Sequence, residues 1–362
     1  MSRFHYDNIR IAGIAAAVPE KKFLTTEHAN EVFDVETLEK FEKTTGVKST
    51  YRTHKKQTAS DLCFAAAKKL MEERGIERET IGACVFVSQT ADYRLPATAF
   101  VLQERLGLGR DCTCFDINLG CSGYVIGLSA VAALMQNSNI ERALLLVGDT
   151  CYKTDSDKDI NHCLFGDAGA ATLLEKDETA EPIETEIMSD GSGFRSIIMP
   201  CGGYRNIEGE TERIEREDGY YRSDYDGYLD GTEVFAFSIR EAPRAVKRML
   251  EAQGKTVDDF DGVVLHQANE MIIKQIAKKL KAPTERVPLT LDRYGNTSSV
   301  SIPLTIADVW NKDCGKPSVS FVACGFGVGL SWATMTAKLD TGVVSPIFQT
   351  SEFFEDGVLK YD

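Results

Sequence analysis

Cys121 is the residue of this 362-residue chain with the clearest potential for covalent chemistry. It stands in a Gly120-Cys121-Ser122-Gly123 turn, where the glycines permit a sharp bend and the close approach of a ligand. The segment 125–135 that follows is almost entirely apolar and predicts a buried helix. A thiol at the N-terminus of that helix is expected to have a lowered pKa, and its thiolate would be a nucleophile. The alternative is a small packing residue, since free cysteines are often buried.

Two further side chains have the chemistry to assist a nucleophilic thiol. His266 ends an apolar strand, and α/β sheets place their sites at the carboxyl ends of strands. Asn296 precedes a second helix of small residues, where the alternative role is an N-cap. His162, just before the Phe165-Gly166-Asp167 turn, is another candidate, although a histidine in that setting is more often packed or hydrogen-bonded.

A glycine-rich turn, Gly325-Phe326-Gly327-Val328-Gly329, follows the predicted buried strand 319–323. Such turns direct backbone N–H groups into a site and are able to form an oxyanion hole. A phosphate-binding role is disfavoured, because no Gly-Lys-Ser or Gly-Lys-Thr follows.

The elements that carry these residues occur twice along the chain. The matching segments are 85–91 with 263–268, 115–121 with 289–298, and 165–169 with 326–330. The three matches keep their order at offsets of about 160 to 180 residues, which predicts a duplicated α/β unit. Strands alternating with helices predict mostly parallel sheets covered on both faces, with the two halves meeting around one site. The polar segment 204–230 is predicted to be a surface excursion that could border a substrate entrance.

The composition argues against several other classes of protein. Ten cysteines without a CxxC pair indicate the reduced thiols of a cytoplasmic protein rather than a disulfide framework or a metal site. A net charge of −14 argues against nucleic acid or an anionic membrane as the main partner. No apolar signal segment or stretch of membrane-spanning length is expected.

The motifs together resemble those of β-ketoacyl-acyl carrier protein synthase III, the initiating ketosynthase of the thiolase-like superfamily. The segments that carry the resemblance are 116–123, 165–171, 190–192, 230–235, 266–269, 295–298 and 326–329. The resemblance implies a thiolase-like fold in which duplicated α/β units form a five-layer αβαβα sandwich. It divides the chain into an N-terminal half (1–178) with the cysteine, a C-terminal half (179–340) with the histidine and asparagine, and a tail (341–362).

The resemblance implies that Cys121, His266 and Asn296 are the catalytic residues. Cys121 would attack an acyl thioester, with the oxyanion held by its own N–H and that of Val328. His266 and Asn296 would donate to a malonyl thioester and stabilise the enolate formed as carbon dioxide leaves. This enolate would attack the acyl group and give a β-ketoacyl product in fatty acid or specialised lipid synthesis. Neither a metal nor a redox cofactor is expected, and Phe326 and Gly327 are expected to contact substrate.

Two positions depart from the family pattern in ways that affect partners. Lys40 stands where initiating members carry a tryptophan that stacks on coenzyme A, which brings acyl-CoA into question as an acyl donor beside acyl carrier protein. Met271 replaces a basic residue used for docking of the carrier protein. Three residues at helical spacing could replace it, with an ordinary solvated face as the alternative: Lys274, Lys278 and Lys281.

The resemblance also implies a homodimer and leaves alternatives open. Leu95 matches the residue that crosses the dimer interface to cap the partner's acyl pocket, and a leucine there would alter the preferred acyl length. Related enzymes transfer the acyl group from cysteine to an oxygen or nitrogen acceptor, without forming a carbon–carbon bond. A thiolase would need a second cysteine, and Cys324 lies one residue out of register. A non-catalytic partner subunit would typically lack the nucleophile, which is retained as Cys121.

Overall fold

This computed structural model of the chain describes residues 2–358. Its strands are β1 (Ser2–Tyr6), β2 (Ile9–Pro19), β3 (Lys22–Leu24), β4 (Ser49–Tyr51), β5 (Ala83–Val87), β6 (Thr113–Ile117), β7 (Arg142–Asp149), β8 (Ala168–Lys176), β9 (Ile183–Ser189), β10 (Ile197–Ile198), β11 (Ile214–Glu215), β12 (Tyr221–Arg222), β13 (Tyr228–Leu229), β14 (Gly262–Leu265), β15 (Ser318–Gly327), β16 (Ser331–Asp340) and β17 (Phe348–Thr350). Its α-helices are α1 (Val35–Thr45), α2 (Ala59–Arg74), α3 (Thr98–Leu106), α4 (Gly123–Gln136), α5 (Gly231–Ala252), α6 (Glu270–Leu280), α7 (Leu291–Tyr294) and α8 (Ser301–Val309). None of the helices within residues 2–358 is long and apolar enough to cross a membrane.

The main strands form two sheets that meet at one edge. The first sheet runs β6-β5-β7-β8-β2 and the second runs β14-β15-β16-β9-β1, with Leu339 of β16 beside Ile11 of β2. Strand β8 runs antiparallel to both its neighbours, as β16 does in the second sheet. The expectation of mostly parallel sheets is therefore wrong, and both sheets are mixed. Only residues 328–330 separate β15 from β16, and a connection that short requires antiparallel strands.

The strand order of the first sheet recurs in the second, with one strand missing. The segment 289–292 was matched to the strand at 115–116, but it enters the short helix α7 instead. The side chain of Gln267 explains this difference, because its Oε1 accepts the backbone N–H groups of Thr290 at 2.9 Å and Leu291 at 3.3 Å. These N–H groups bond to a side chain instead of to a neighbouring strand.

Five layers stack through the molecule, which confirms the predicted α/β sandwich. Helices α2 and α3 cover the outer face of the first sheet, and α4 and α8 lie between the two sheets. Helices α5 and α6 cover the outer face of the second sheet. Successive side chains of β5 point to opposite faces of the sheet. Cys84 and Phe86 pack against the outer helices, and Val85 and Val87 pack against the central layer.

The C-terminal segment returns to the first sheet. Strand β17 pairs in parallel with β2, and Gln57 Nε2 donates to the carbonyls of Thr350 at 3.1 Å and Glu352 at 2.9 Å. Residues 359–362 of the predicted tail lie outside the described residues. The predicted boundary at 178/179 falls between β8 and β9, but β1 belongs to the sheet of the second half. The division into two halves and a tail stays a prediction.

Candidate active site

A cavity of about 440 Å³ lies between the turn before α4 and the loops that follow β14 and β15. Six residues of the predicted site line it: Cys121, His266, Asn296, Phe326, Gly327 and Val328. The two halves of the chain therefore contribute to one space, as the repeated motifs predict. Cys121 follows β6, His266 follows β14 and Gly327 ends β15, whereas Asn296 follows the short helix α7.

Cys121 lies between β6 and α4, directly before the N-cap Ser122. Helix α4 is buried along its whole apolar length, as predicted, with Tyr124 and Leu128 fully enclosed. The pKa of the Cys121 thiol is raised to about 11, chiefly by burial and also by the negative charge of Asp149. Hydrogen bonds from the backbone N–H groups of Val328 and of Cys121 itself lower the pKa, but burial outweighs them. The prediction that the pKa of this thiol is lowered is therefore wrong.

Glycines let β15 approach the nucleophile closely. A Cβ added at Gly327 would lie 2.7 Å from both Cβ and Sγ of Cys121. A Cβ added at Gly325 would lie 2.7 Å from the carbonyl oxygen of Cys121. Only glycine fits at either position, and this close approach brings the Val328 N–H to the sulfur.

His266 lies at the end of β14 with only 1% of its surface exposed. Burial lowers the pKa of the ring to about 3, so the imidazole is neutral at physiological pH. Its Nδ1 lies 2.8 Å from Ser301 Oγ, and Phe326 packs edge-on against the ring with centroids 5.5 Å apart. Two contacts thus fix the orientation of the imidazole. The Ser301 hydroxyl also lies 2.9 Å from the Ser298 carbonyl, so the ring proton resides on Nε2 only where Ser301 donates to Nδ1 rather than to that carbonyl.

Asn296 is held on three sides by backbone contacts. Its N–H donates to the Leu164 carbonyl at 2.9 Å, and its own carbonyl accepts from Gly166 at 3.1 Å. Its side-chain Oδ1 accepts from the Ser298 N–H at 2.9 Å. This bond orients the amide, and Nδ2 is the group with which Asn296 can donate to a ligand in the cavity.

Other residues bring the site together without having been predicted. Ser301 orients His266, and Gln267 fixes the loop after it through the bonds to the turn at 290–291. Asp149 ends β7 with no exposed surface and accepts hydrogen bonds from residues of both halves. Asp149 could have been predicted from the sequence, because it is a carboxylate at the end of an apolar strand and His266 was predicted from the same kind of position.

The excursion at 204–230 forms part of the cavity wall. Gly227, Tyr228 and Leu229 line the cavity, so the excursion borders it as the sequence suggested. Ion pairs of Arg222 with Asp159, and of Arg213 with Asp226 at 3.0 Å, hold the segment in place. The pair between Arg222 and Asp159 is buried and joins the excursion to the segment before β8, and Tyr220 packs on the apolar cluster of Phe33 and Leu38.

The remaining candidates lie away from the cavity. His162 Nε2 lies 2.6 Å from Arg52 Nη1, and burial lowers the pKa of this histidine to about 4, which indicates a structural role. Cys324 is buried within β15 and does not line the cavity, which disfavours a second catalytic cysteine. Leu95 is 75% exposed. The lysines proposed for docking, Lys274, Lys278 and Lys281, are exposed along α6 and its C-cap, with Lys274 paired to Glu270 at 2.8 Å.

Two family models match the chain. One describes 3-oxoacyl-[acyl-carrier-protein (ACP)] synthase III and covers residues 115–191, which include Cys121. The other describes the C-terminal part of the same family and covers residues 250–339, which include His266 and Asn296. Both matches therefore include residues that line the cavity.

Curated proteins and solved structures agree with the family models. The β-ketoacyl-[acyl-carrier-protein] synthase III of Caldanaerobacter subterraneus is 30% identical over 330 residues, which are 91% of this chain and 97% of that protein. A putative 3-oxoacyl-[acyl-carrier-protein] synthase 3 of Campylobacter jejuni is 31% identical, over 91% of this chain and 93% of its own. The crystal structure of a 3-oxoacyl-(acyl-carrier protein) synthase from Burkholderia xenovorans superimposes with a TM-score of 0.91 and 36% identity, over 96% and 99% of the two chains. Sequence, fold and cavity thus converge, and the chain belongs to the 3-oxoacyl-[acyl-carrier-protein] synthase III family of acyltransferases.

Proposed function

We propose that this enzyme catalyses a decarboxylative Claisen condensation between an acyl group carried on Cys121 and a malonyl thioester. The observation that carries the proposal is the convergence of a thiol, a neutral imidazole and a carboxamide on one cavity. Acyl carrier protein is the proposed carrier of the malonyl group. The product, a β-ketoacyl thioester, would serve fatty acid or specialised lipid synthesis in the cytoplasm.

In the first half-reaction the Cys121 sulfur attacks the carbonyl carbon of the acyl thioester. A bond forms between Sγ and the carbonyl carbon. As the tetrahedral oxyanion collapses, the bond from that carbon to the carrier sulfur breaks, and the proton lost by Cys121 is balanced by the proton gained by the departing carrier thiol. The N–H groups of Val328 and Cys121 already point at the sulfur and are placed to hold that oxyanion. Loss of one such donor typically costs roughly 2.7–4 kcal/mol of barrier.

In the second half-reaction a malonyl thioester loses carbon dioxide. The thioester oxygen becomes an enolate, which needs hydrogen-bond donors rather than a charged acid. His266 is neutral because burial lowers its pKa to about 3. In the tautomer in which Ser301 donates to Nδ1, the ring carries its proton on Nε2 and is a donor. Asn296 supplies the second donor from Nδ2, and the bond that its Oδ1 accepts orients the amide. The enolate carbon then attacks the acyl carbon, and the Cys121 thiolate leaves.

Surface features support the proposed partners. The three exposed lysines predicted for docking, which lie on α6 and at its C-cap, offer positive charge on a chain whose net charge is −14: Lys274, Lys278 and Lys281. An acidic carrier protein would find complementary charge there. Leu95, 75% exposed, is proposed to cap the acyl pocket of a second copy in a homodimer. Lys40, exposed on α1, offers no aromatic ring to coenzyme A adenine, which favours a carrier protein as the acyl donor.

Intact-mass measurement tests both half-reactions. Incubation with acyl thioesters is expected to add one acyl group to the wild type and none to Cys121→Ala. Addition of malonyl-carrier protein is then expected to release carbon dioxide and a β-ketoacyl product. If hydroxyl or amine acceptors discharge the acyl-enzyme while malonyl-carrier protein does not, the enzyme is an acyltransferase to oxygen or nitrogen. If Cys121 never becomes acylated, the proposal is wrong.

A further inference from the structure

We infer that Asp149 is a positioning residue for the condensation step, which fixes the turn bearing Asn296 and Ser301 against the half of the chain that carries Cys121. This inference rests on the proposed function and adds a residue that acts through others. Asp149 itself does not line the cavity. Its effect would be exerted on the two donors that face the malonyl thioester.

Asp149 joins three segments through one carboxylate. Oδ1 accepts the Gln89 N–H at 2.8 Å and the Ser88 hydroxyl at 3.2 Å, both directly after β5. Oδ2 accepts the Ser299 hydroxyl at 2.8 Å and, at 3.4 Å, its N–H. Gln89 also lines the cavity, and Ser299 belongs to the turn before α8. One fully buried group therefore links the two halves directly behind the site.

The turn that Asp149 holds carries both proposed donors. Asn296 stands at its start, and at its end Ser301 contacts His266 Nδ1 at 2.8 Å. Between them Ser298 has a φ of 51°, a left-handed conformation that a non-glycine residue rarely adopts. Such a conformation persists only where the surroundings impose it. The bonds from Ser299 to Asp149 supply a constraint next to the strained residue.

A carboxylate suits this position because it only accepts hydrogen bonds. All the groups around Asp149 are donors, two backbone N–H groups and two hydroxyls, and an ionised carboxylate is able to accept from all of them. Burial raises the pKa of Asp149, and the hydrogen bonds from Gln89 and Ser299 oppose this rise and favour the ionised form. An uncharged residue of similar size would leave part of this donor set unsatisfied.

The same charge acts on the nucleophile. The ionisable groups around the Cys121 thiol are Asp149 and Cys151, which follow one another closely in the first half, and His266 from the second half. His266 is neutral, so Asp149 is the charged member of this set. Its negative charge raises the pKa of Cys121. Asp149 therefore has two separable effects, a mechanical one on the donors and an electrostatic one on the thiol.

Two variants separate these effects. Ser299→Ala removes the shorter of the two hydrogen bonds between Asp149 and the turn, leaves the 3.4 Å bond from the backbone N–H, and keeps the charge. We expect about a tenfold slower β-ketoacyl formation, since a small misplacement of the donors is costly, with the rate of Cys121 acylation and the pH profile of its alkylation by iodoacetamide unchanged. Asp149→Asn keeps the shape and removes the charge. In this variant the pH profile of Cys121 alkylation should shift to lower pH, because the negative charge that raises the pKa of the thiol is gone, and the rate of condensation should decrease.

The comparison variants complete the experiment. Combining Asp149→Asn with Ser299→Ala should slow condensation no further than Asp149→Asn alone, because both changes break one contact. Asp61→Asn removes another buried acid, which caps α2 far from the cavity, and should leave the alkylation profile and the ratio of condensation to acylation unchanged. Circular dichroism verifies that each variant is folded.

Two results would overturn the inference. The first is a folded Ser299→Ala enzyme with the wild-type ratio of condensation to acylation. The second is an Asp149→Asn enzyme whose alkylation profile is unchanged or whose acylation falls as much as its condensation. If the wild-type enzyme formed no β-ketoacyl product, the proposed function would be refuted instead. The pH profile of alkylation would still measure the electrostatic effect of Asp149 on Cys121.

Discussion

Replacement of Gly327 by alanine should displace the nucleophile. The added Cβ would lie 2.7 Å from both Cβ and Sγ of Cys121, whereas nonbonded atoms of this kind prefer about 3.5–4.0 Å. The backbone of β15 cannot retreat easily, because Gly327 pairs with Ser331 of β16. The turn carrying Cys121 must therefore shift by about 1 Å, and a misplacement of that size costs roughly a hundredfold in rate.

The rate of acylation, followed by intact mass under single-turnover conditions, measures this effect. We expect about a hundredfold decrease for Gly327→Ala, together with a loss of about 1–3 kcal/mol in the free energy of unfolding from overpacking. Gly342→Ala is the control, because a Cβ there meets nothing within 4 Å. An acylation rate within threefold of the wild type would show that Gly327 does not define the position of the sulfur, and would refute the reasoning.

Three further outcomes are expected. Ser301→Ala removes the partner of His266 Nδ1 and should slow malonyl decarboxylation about tenfold, with Cys121 acylation retained as the internal control. Burial lowers the pKa of His266 from 6.5 in the unfolded chain to about 3 in the folded chain. Between pH 3 and pH 6.5 the unfolded chain therefore binds one more proton than the folded chain. Stability is then full above pH 6.5 and falls towards pH 3, by about 2 kcal/mol at pH 5, and denaturant titrations of His266→Gln should show a flatter dependence. Lys278→Glu should raise the KM for malonyl-carrier protein about fivefold, whereas Lys68→Glu, on the opposite outer layer, should leave it unchanged; equal KM values would remove α6 from the docking site.

The parts of the fold that depend on local pattern were predictable. The apolar run after Cys121 is a buried helix, and His266 stands at a strand end, because both features are properties of a few neighbouring residues. The direction of strands is not such a property. Strand direction depends on the connection that follows each strand. Here β8 pairs antiparallel with β7, and β16 pairs antiparallel with β15.

The thiol and the missing strand show the limit of reasoning from the sequence. The expectation for Cys121 considered the helix end alone, whereas the pKa follows from burial and from Asp149, which lies 28 positions later in the chain. The apolar residues at 289–291 read as a strand, but the amide of Gln267 takes two of their N–H groups. Both outcomes depend on contacts between distant segments, which no local pattern encodes.

The first strand ties the beginning of the chain to its middle. Strand β1 pairs with β9, and Arg3 Nη2 lies 3.0 Å from Oε2 of Glu186, a carboxylate with no exposed surface. Arg248 of α5 supplies the second cation. Glu186 can lose its hydration only when residues synthesised at the start, middle and later part of the chain have assembled around it. A cut at the predicted boundary 178/179 would therefore leave Arg248 beside Glu186 but remove Arg3, so that this buried carboxylate would keep only one of these two cations.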